Sequence, residues 1–282
     1  MVSVPLIVVG GLIWFPTIAS ILLSFTNWDG IGGISSAHWI GTRNYHEIAT
    51  IYPPFWPAVK HNLIWLGFLT FVATPFGLLL AYLLDKQIRG SRVYQSIFFL
   101  PVVLSFAIIG FIWQLIYSPS QGLLNNLFSD PKHGHVIDWL GNPKLNLWAI
   151  LVAVGWRHAG YIMILYLAGL KAMDPSLREA SAIDGAGEWH TFRKVIFPAL
   201  RPINIVIVVV TVIEALRAFD IVYIVNRGRN GLELLSVLVT DNIIGEASRI
   251  GYGSAIGTIL LLLALGSIIT YLVQNFRREQ RP

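Results

Sequence analysis

The chain has no cysteine, little charge and no extended polar tract. Without cysteine there can be no disulfide framework, thiolate metal site or cysteine nucleophile. Only 12% of the 282 residues are charged while 55% are hydrophobic, too little polar surface to cover a soluble globule. The runs GxxxxGK[ST], HExxH and GxSxG are all missing, so no phosphate-cradling loop, zinc-protease helix or nucleophile elbow is encoded. No stretch is long enough and polar enough for a nucleotide-binding domain, and neither an internal repeat nor a low-complexity tract interrupts the pattern. The net charge of +5 is modest and lies mostly between hydrophobic runs, which suits topology and lipid headgroups rather than nucleic acid.

What the chain does have is apolar length. Crossing a bilayer takes about 20 apolar residues, and that measure predicts six spans near 4–25, 64–85, 94–117, 146–170, 202–225 and 252–275 in one transmembrane domain. Pro75 and Pro101 are expected to kink the second and third. The first segment lacks the basic arm and small-residue cleavage site of a signal peptide, so it is read as a retained span. Either the chain starts further upstream or that span is held by packing. The connecting stretches 26–60 and 118–145 are rich in Gly, Pro, Asn, Trp and His, a composition for turns and short surface helices.

Basic residues set the orientation, because short cytoplasmic segments retain Lys and Arg. Lys86, Arg89 and Arg92 lie between spans two and three; Lys171, Arg178, Arg193, Lys194 and Arg201 lie around 171–201; Arg277, Arg278 and Arg281 follow the last span. Those three segments share one side, which places them and both termini in the cytoplasm. Arg43, Lys60, Lys132, Lys144, Arg227, Arg229 and Arg249 are spread over the opposite side.

The polar insert at 171–201 is organised. Asp174 before Pro175 reads as a capping carboxylate with proline at the first helical position, where its missing N–H costs nothing. Leu177, Ala180 and Ile183 recur every third residue, Glu179 favours the positive helix end, and Gly185 can supply a left-handed terminus. A second helix from about Gly187 is expected to stop before Pro198. So short an amphipathic helix is marginal in water and needs a surface to lie on, either a partner's groove or the ends of its own spans.

The wording of the insert, Glu179-Ala180-Ser181-Ala182-Ile183-Asp184-Gly185-Ala186-Gly187 followed by Phe192 and Ile196-Phe197-Pro198, resembles the EAA loop of ABC importer permeases. Further pieces of the resemblance are Asn62, Gly77-Leu78 with Ala81, Phe99-Leu100-Pro101, Trp113, Gly122 with Asn125, Leu167-Ala168-Gly169-Leu170, Phe219 to Tyr223, and Gly251 to Ala255. Together they resemble the carbohydrate branch, similar to permeases for maltose, lactose and glycerol 3-phosphate. One departure is Asn226-Arg227-Gly228-Arg229-Asn230-Gly231, where that family often carries a threonine-glycine-glycine-proline turn.

The resemblance implies an all-α integral membrane protein with the six-helix type I importer fold, in a bacterial or archaeal cytoplasmic membrane. It implies that Glu179, Ala180, Ser181, Ile183, Asp184, Gly185, Ala186, Phe192 and Pro198 form a coupling helix and its supports, seated on an ATPase subunit. Its implied partners are two such ATPase subunits using ATP and Mg, a second and similar permease chain, an extracytoplasmic sugar-binding protein and the lipid bilayer. The chain itself would bind no cofactor and catalyse nothing.

Ionisable groups at membrane depth cost about 2.5–3.5 kcal/mol each on insertion scales, so they are expected to face a cavity or one another. Arg157 and Glu214 could pair or meet substrate; Glu214, Arg217 and Asp220, three residues apart, would share one helix face as a candidate path. Trp113 and Trp156 could stack on a sugar and Asn62 could bond a hydroxyl, or all three could serve packing. His158 reads as a helix–helix donor. Glycerol 3-phosphate stays open because Arg157 and Arg217 could face a phosphate, and Glu214 with Asp220 leaves room for a proton-coupled secondary transporter.

Overall fold

The computed structural model describes residues 3–86, 88–128, 136–245 and 248–279. Lys132 and Arg281 of the orientation argument lie outside them. The described residues are helical, joined by turns, with one isolated bridge between Thr26 and Trp39.

Among the described residues, four helices are long and apolar enough to cross a membrane: α1 (Ser3–Leu23), α3 (Phe55–Asp85), α7 (Asn146–Ala172) and the Ile250–Asn275 part of α13 (Ile250–Glu279). A fifth crossing results if α4 (Ser91–Val103) and α5 (Phe106–Ile116), which meet at 104°, are one bent span. The remaining helices are α2 (Arg43–Thr50), α6 (Leu123–Phe128), α8 (Ser176–Ile183), α9 (188–199), α10 (Arg201–Leu216), α11 (Asp220–Asn226) and α12 (Leu235–Ile243), with one 3-10 turn at Ile34–Ser36.

Two of the six expected spans are therefore broken or cut short. The third bends at Leu104 and Ser105, both extended, and Ser105 restarts the helix by accepting the Ile108 N–H at 3.3 Å. The fifth stops after the 16 residues of α10. Phe219 leaves the helical region at φ −138°, and the Ala218 carbonyl freed by the break accepts the Ser236 hydroxyl. Hydropathy cannot see this break, since Ala218 and Phe219 are as apolar as a continuing span. The second span begins at Phe55, earlier than composition suggested, and α1 buries no residue within this chain.

Proline is accommodated rather than helix-breaking. Ahead of Pro16, Pro75 and Pro198 the helix widens into one π turn, over Gly10–Trp14, Leu69–Ala73 and Phe192–Ile196. In each case the residue before proline donates to a carbonyl five residues back: Phe15 to Gly10, Thr74 to Leu69, Phe197 to Phe192. Such local re-pairing satisfies the backbone around the missing N–H. The helix expected to stop at Pro198 thus continues to Ala199.

Internal contacts divide the chain into two compact units, Ile64–Ala215 and Met1–Leu63 with Leu216–Pro282. The first is organised around α7, which α3 and α4 approach at glycine. A Cβ on Gly77 would lie 2.7 Å from the Ala159 carbonyl oxygen, and one on Gly160 2.1 Å from that of Phe98. Helices in lipid gain little from apolar burial against each other, so small residues that let backbones meet supply the packing. In the second unit Ile48, Phe55, Ala58, Leu235, Leu238, Tyr252, Ala255 and Ile256 form the core. Asn44 donates to the carbonyls of Ser24 and Thr26, both at 2.8 Å, and Gly251 donates to Trp28 at 2.9 Å, fixing the stretch after α1.

Candidate functional site

The insert folds as its caps dictate. Asp174 accepts the Ser176 N–H at 2.9 Å, and that bond holds its carboxyl below the usual carboxylate range. Helix α8 ends at Gly185, whose φ is +72°; Gly185 donates to Ala182 and Ala186 donates to Ser181, both at 3.1 Å. Nothing lies within 4 Å of a Cβ built on Gly185, so the backbone angle and not space requires glycine there.

Two ion pairs strap this hairpin to the end of α3. Arg178 meets Asp85 at 2.6 Å, and Lys86 meets Glu188 at 2.8 Å. Glu188 as partner holds the Lys86 ammonium above its ordinary range. Phe192 is half-buried and packs edge-on against Tyr82 at 5.0 Å, while Ser181 is buried and shares a 2.7 Å hydrogen bond with Thr191. Sequence reasoning missed the straps, because nothing local marks a pairing between positions about a hundred apart.

The outer face of the hairpin carries the rest of the predicted docking residues. Glu179, Ala180, Asp184, Gly185 and Pro198 are exposed, Ala186 is half-buried, and Ile183 is 86% exposed. The apolar stripe Leu177-Ala180-Ile183 therefore faces away from the chain, and the small polar Ser181 takes the inner side. A stripe that served only to pack on its own spans would be turned the other way.

Inside the unit around α7, the charges expected at membrane depth meet one another. Arg157 donates to Glu214 at 2.8 Å and its guanidinium lies 4.2 Å from the centre of the Phe106 ring. His158, fully buried, shares a 2.6 Å hydrogen bond with the other Glu214 oxygen; its far nitrogen lies 3.3 Å from the Thr74 hydroxyl and 3.4 Å from that of Thr211. One carboxylate thus holds two neighbouring bases of α7, joining α7 to α10.

The structure redistributes the predicted path residues. The helix break after Leu216 removes the common face of Glu214, Arg217 and Asp220: Arg217 is an exposed turn residue and Asp220 opens α11. Asn62 is 2% exposed and accepts the Leu235 N–H at 3.0 Å, which places it at the start of α12 as a cap. Trp113 and Trp156 meet edge-to-face with centroids 6.0 Å apart, and Trp113 continues to Tyr117 at 5.2 Å. Asn226 closes the divergent loop, accepting from Gly228 at 3.1 Å and donating to Arg229 at 2.9 Å.

Comparison with known proteins identifies the family and the fold. The chain is 33% identical to a probable ABC transporter permease of Pyrococcus horikoshii over 98% of its own length and 94% of the relative's. It is 32% identical to the xylose/arabinose import permease of Haloferax volcanii, covering 98% and 87%. To the trehalose/maltose transport system permease of Thermococcus litoralis it is 32% identical, covering 85% and 81%. Among solved structures, a chain from a bacterial ABC transporter involved in import of the acidic polysaccharide alginate superposes with TM-score 0.81 at 20% identity, covering 99% and 93%. The alginate transporter solved in complex with an alginate pentasaccharide-bound periplasmic protein gives 0.80 at 20% identity, covering 95% and 90%. These similarities establish the type I importer fold and a multi-pass membrane protein whose relatives are transport permeases rather than enzymes. Residues 73–282 match the family model for the inner membrane component of binding-protein-dependent transport systems, and this chain belongs to that family.

Proposed function

We propose that this chain forms half of the translocation path of an ATP-driven importer for a sugar or oligosaccharide, delivered by an extracytoplasmic binding protein. The sugar is supported by the xylose/arabinose and trehalose/maltose relatives, and the binding protein by the family and by the periplasmic protein bound to the alginate transporter. Glycerol 3-phosphate has no comparable support, and Arg157, which could have met a phosphate, is committed to Glu214.

The observation that carries the coupling role is the outward apolar stripe of α8, on a hairpin strapped to α3. In this reading 171–201 and both termini are cytoplasmic, and the hairpin seats in one of two separate ATPase subunits, which bind ATP and Mg. A second, similar permease chain completes the path, and the present chain acts as one permease domain without a cofactor of its own. ATP binding draws the two ATPase subunits together, and the straps pass that displacement to α3 and so to α7. Interfaces of this kind switch between discrete packings and not along a continuum.

The absence of cysteine makes the test clean, because Ile183→Cys supplies the chain's single thiol. A bifunctional reagent at that thiol is expected to link the chain to the ATPase subunit of the assembled transporter. Linkage only within the chain, or labelling by an impermeant reagent from outside the cell, overturns the docking role. Uptake driven by a proton gradient, without ATP, would favour the secondary-transporter alternative.

A further inference from the structure

Between α3 and the hairpin lies an open groove of about 510 Å³ that the coupling role leaves unused. One wall is the face of α3 carrying Pro75, Leu79, Leu83 and Lys86; the other is Trp189 with Phe192. Leu79 and Leu83 are exposed, and Trp189 is 71% exposed. At its mouth the Lys86–Glu188 pair stands in solvent, the two side chains 38% and 80% exposed.

Three features of the groove select its occupant. From Pro75 to Lys86 the helix rises about 16 Å at 1.5 Å per residue, close to the hydrocarbon depth of one leaflet, about 15 Å of a 30 Å core. Its chemistry is graded along that length, with leucine and proline at depth and tryptophan and lysine at the mouth, the order of a lipid's tail and headgroup. The segments bordering the mouth, 85–94 and 171–201, carry eight Lys and Arg against five Asp and Glu. A slot with a lysine at its mouth, flanked by segments with a net excess of basic residues, is an arrangement that retains acidic headgroups.

We propose that an anionic phospholipid occupies this groove, with its phosphate at Lys86 beside Trp189 and one acyl chain along Leu83 and Leu79 towards Pro75. Glu188 then competes with the phosphate for Lys86. An exposed ion pair is worth little, so the carboxylate is displaceable, and the lipid joins the coupling hairpin to α3 where the Lys86–Glu188 strap had done so. The proposal depends on the chain's membrane insertion and on neither its cargo nor the sidedness of the hairpin.

The test uses the assembled transporter in phosphatidylcholine nanodiscs, with either brominated phosphatidylglycerol or brominated phosphatidylcholine at the same mole fraction in both leaflets. The Trp189 contribution is the fluorescence difference between wild type and Trp189→Phe, a variant that retains an aromatic ring where Trp189 stacks on Phe192 at 5.8 Å. Brominated phosphatidylglycerol is expected to quench that contribution at least threefold more than brominated phosphatidylcholine. Lys86→Gln should abolish the excess, Lys86→Arg should keep it, and Glu188→Gln should increase it. Equal quenching by both lipids means unselective contact and overturns the proposal; no quenching by either means that a protein subunit covers the groove and overturns it equally. Native mass spectrometry of the wild-type transporter gives a second reading, in which retention of phosphatidylglycerol no greater than of phosphatidylcholine has the same consequence.

Discussion

The carboxylate at Glu214 and the carboxylate at Glu188 make the same kind of bond under opposite conditions. Glu214 binds Arg157 and His158 in the interior of its unit, where the Arg157 and Glu214 side chains keep only 21% and 18% of their surface. Glu188 binds Lys86 in solvent. In the interior, losing one partner strands a charge that little water reaches; at the surface, water takes the vacated place. The interior pair therefore locks two helices, whereas the surface pair orients a hairpin and can be exchanged.

The largest expected effect follows from breaking the interior cluster. Glu214→Ala should cost about 3 kcal/mol, the low end for breaking a buried pair because some solvent reaches it, seen as a lowered Tm in detergent. Glu214→Gln should cost less, since it still offers hydrogen bonds to both bases. If Glu214→Ala proves as stable as Glu188→Gln, burial is not what separates the two sites. Next comes Gly160→Val, which drives a side chain into the Phe98 carbonyl and should cost about 2 kcal/mol by overpacking.

Smaller effects belong to the hairpin and should stay local. Gly185→Ala forces a left-handed angle on a Cβ at about 1 kcal/mol; hydrogen exchange should rise over 176–186 while the global Tm holds. Asp174 supplies a pH test. Its folded carboxyl is lowered, so its contribution is complete above the ordinary aspartate range and is lost as pH falls through the folded value. Protection of the Ser176 amide, corrected for intrinsic exchange, should be flat from neutral to mildly acidic solution and fall only in strong acid; Asp174→Asn, still a cap, should flatten that fall. Smallest of all, Glu188→Gln should leave thermal stability indistinguishable from wild type.

The hairpin was legible in the sequence because its determinants are local: Asp174 with Pro175 sets its start and Gly185 its turn, whatever surrounds them. The interior was legible only as to which charges needed partners. Arg157 and Glu214 invited each other, but their union with Thr74 and Thr211 through His158 depends on how α3, α7 and α10 pack. The break after Leu216 was invisible for the same reason, since the group that accommodates it, Ser236, lies on a different helix. Several residues that carried the family resemblance proved architectural: Asn62 caps α12, Gly77 admits a neighbouring backbone, and Asn125 binds the carbonyls of Ser118 and Ile137 at 3.1 and 2.9 Å.

The three wide turns before Pro16, Pro75 and Pro198 alter how these helices should be numbered by face. Each inserts one residue beyond the regular repeat, so everything downstream is rotated by about 100°, the angle one residue subtends on a helix wheel. A stripe drawn straight through Leu69–Ala73 assigns the far half of α3 to the wrong azimuth. Deleting a single residue inside such a turn would restore a uniform screw and leave Gly77 against the carbonyl of Ala159, whereas the same deletion in a regular stretch of α3 would turn everything beyond it by about 100°.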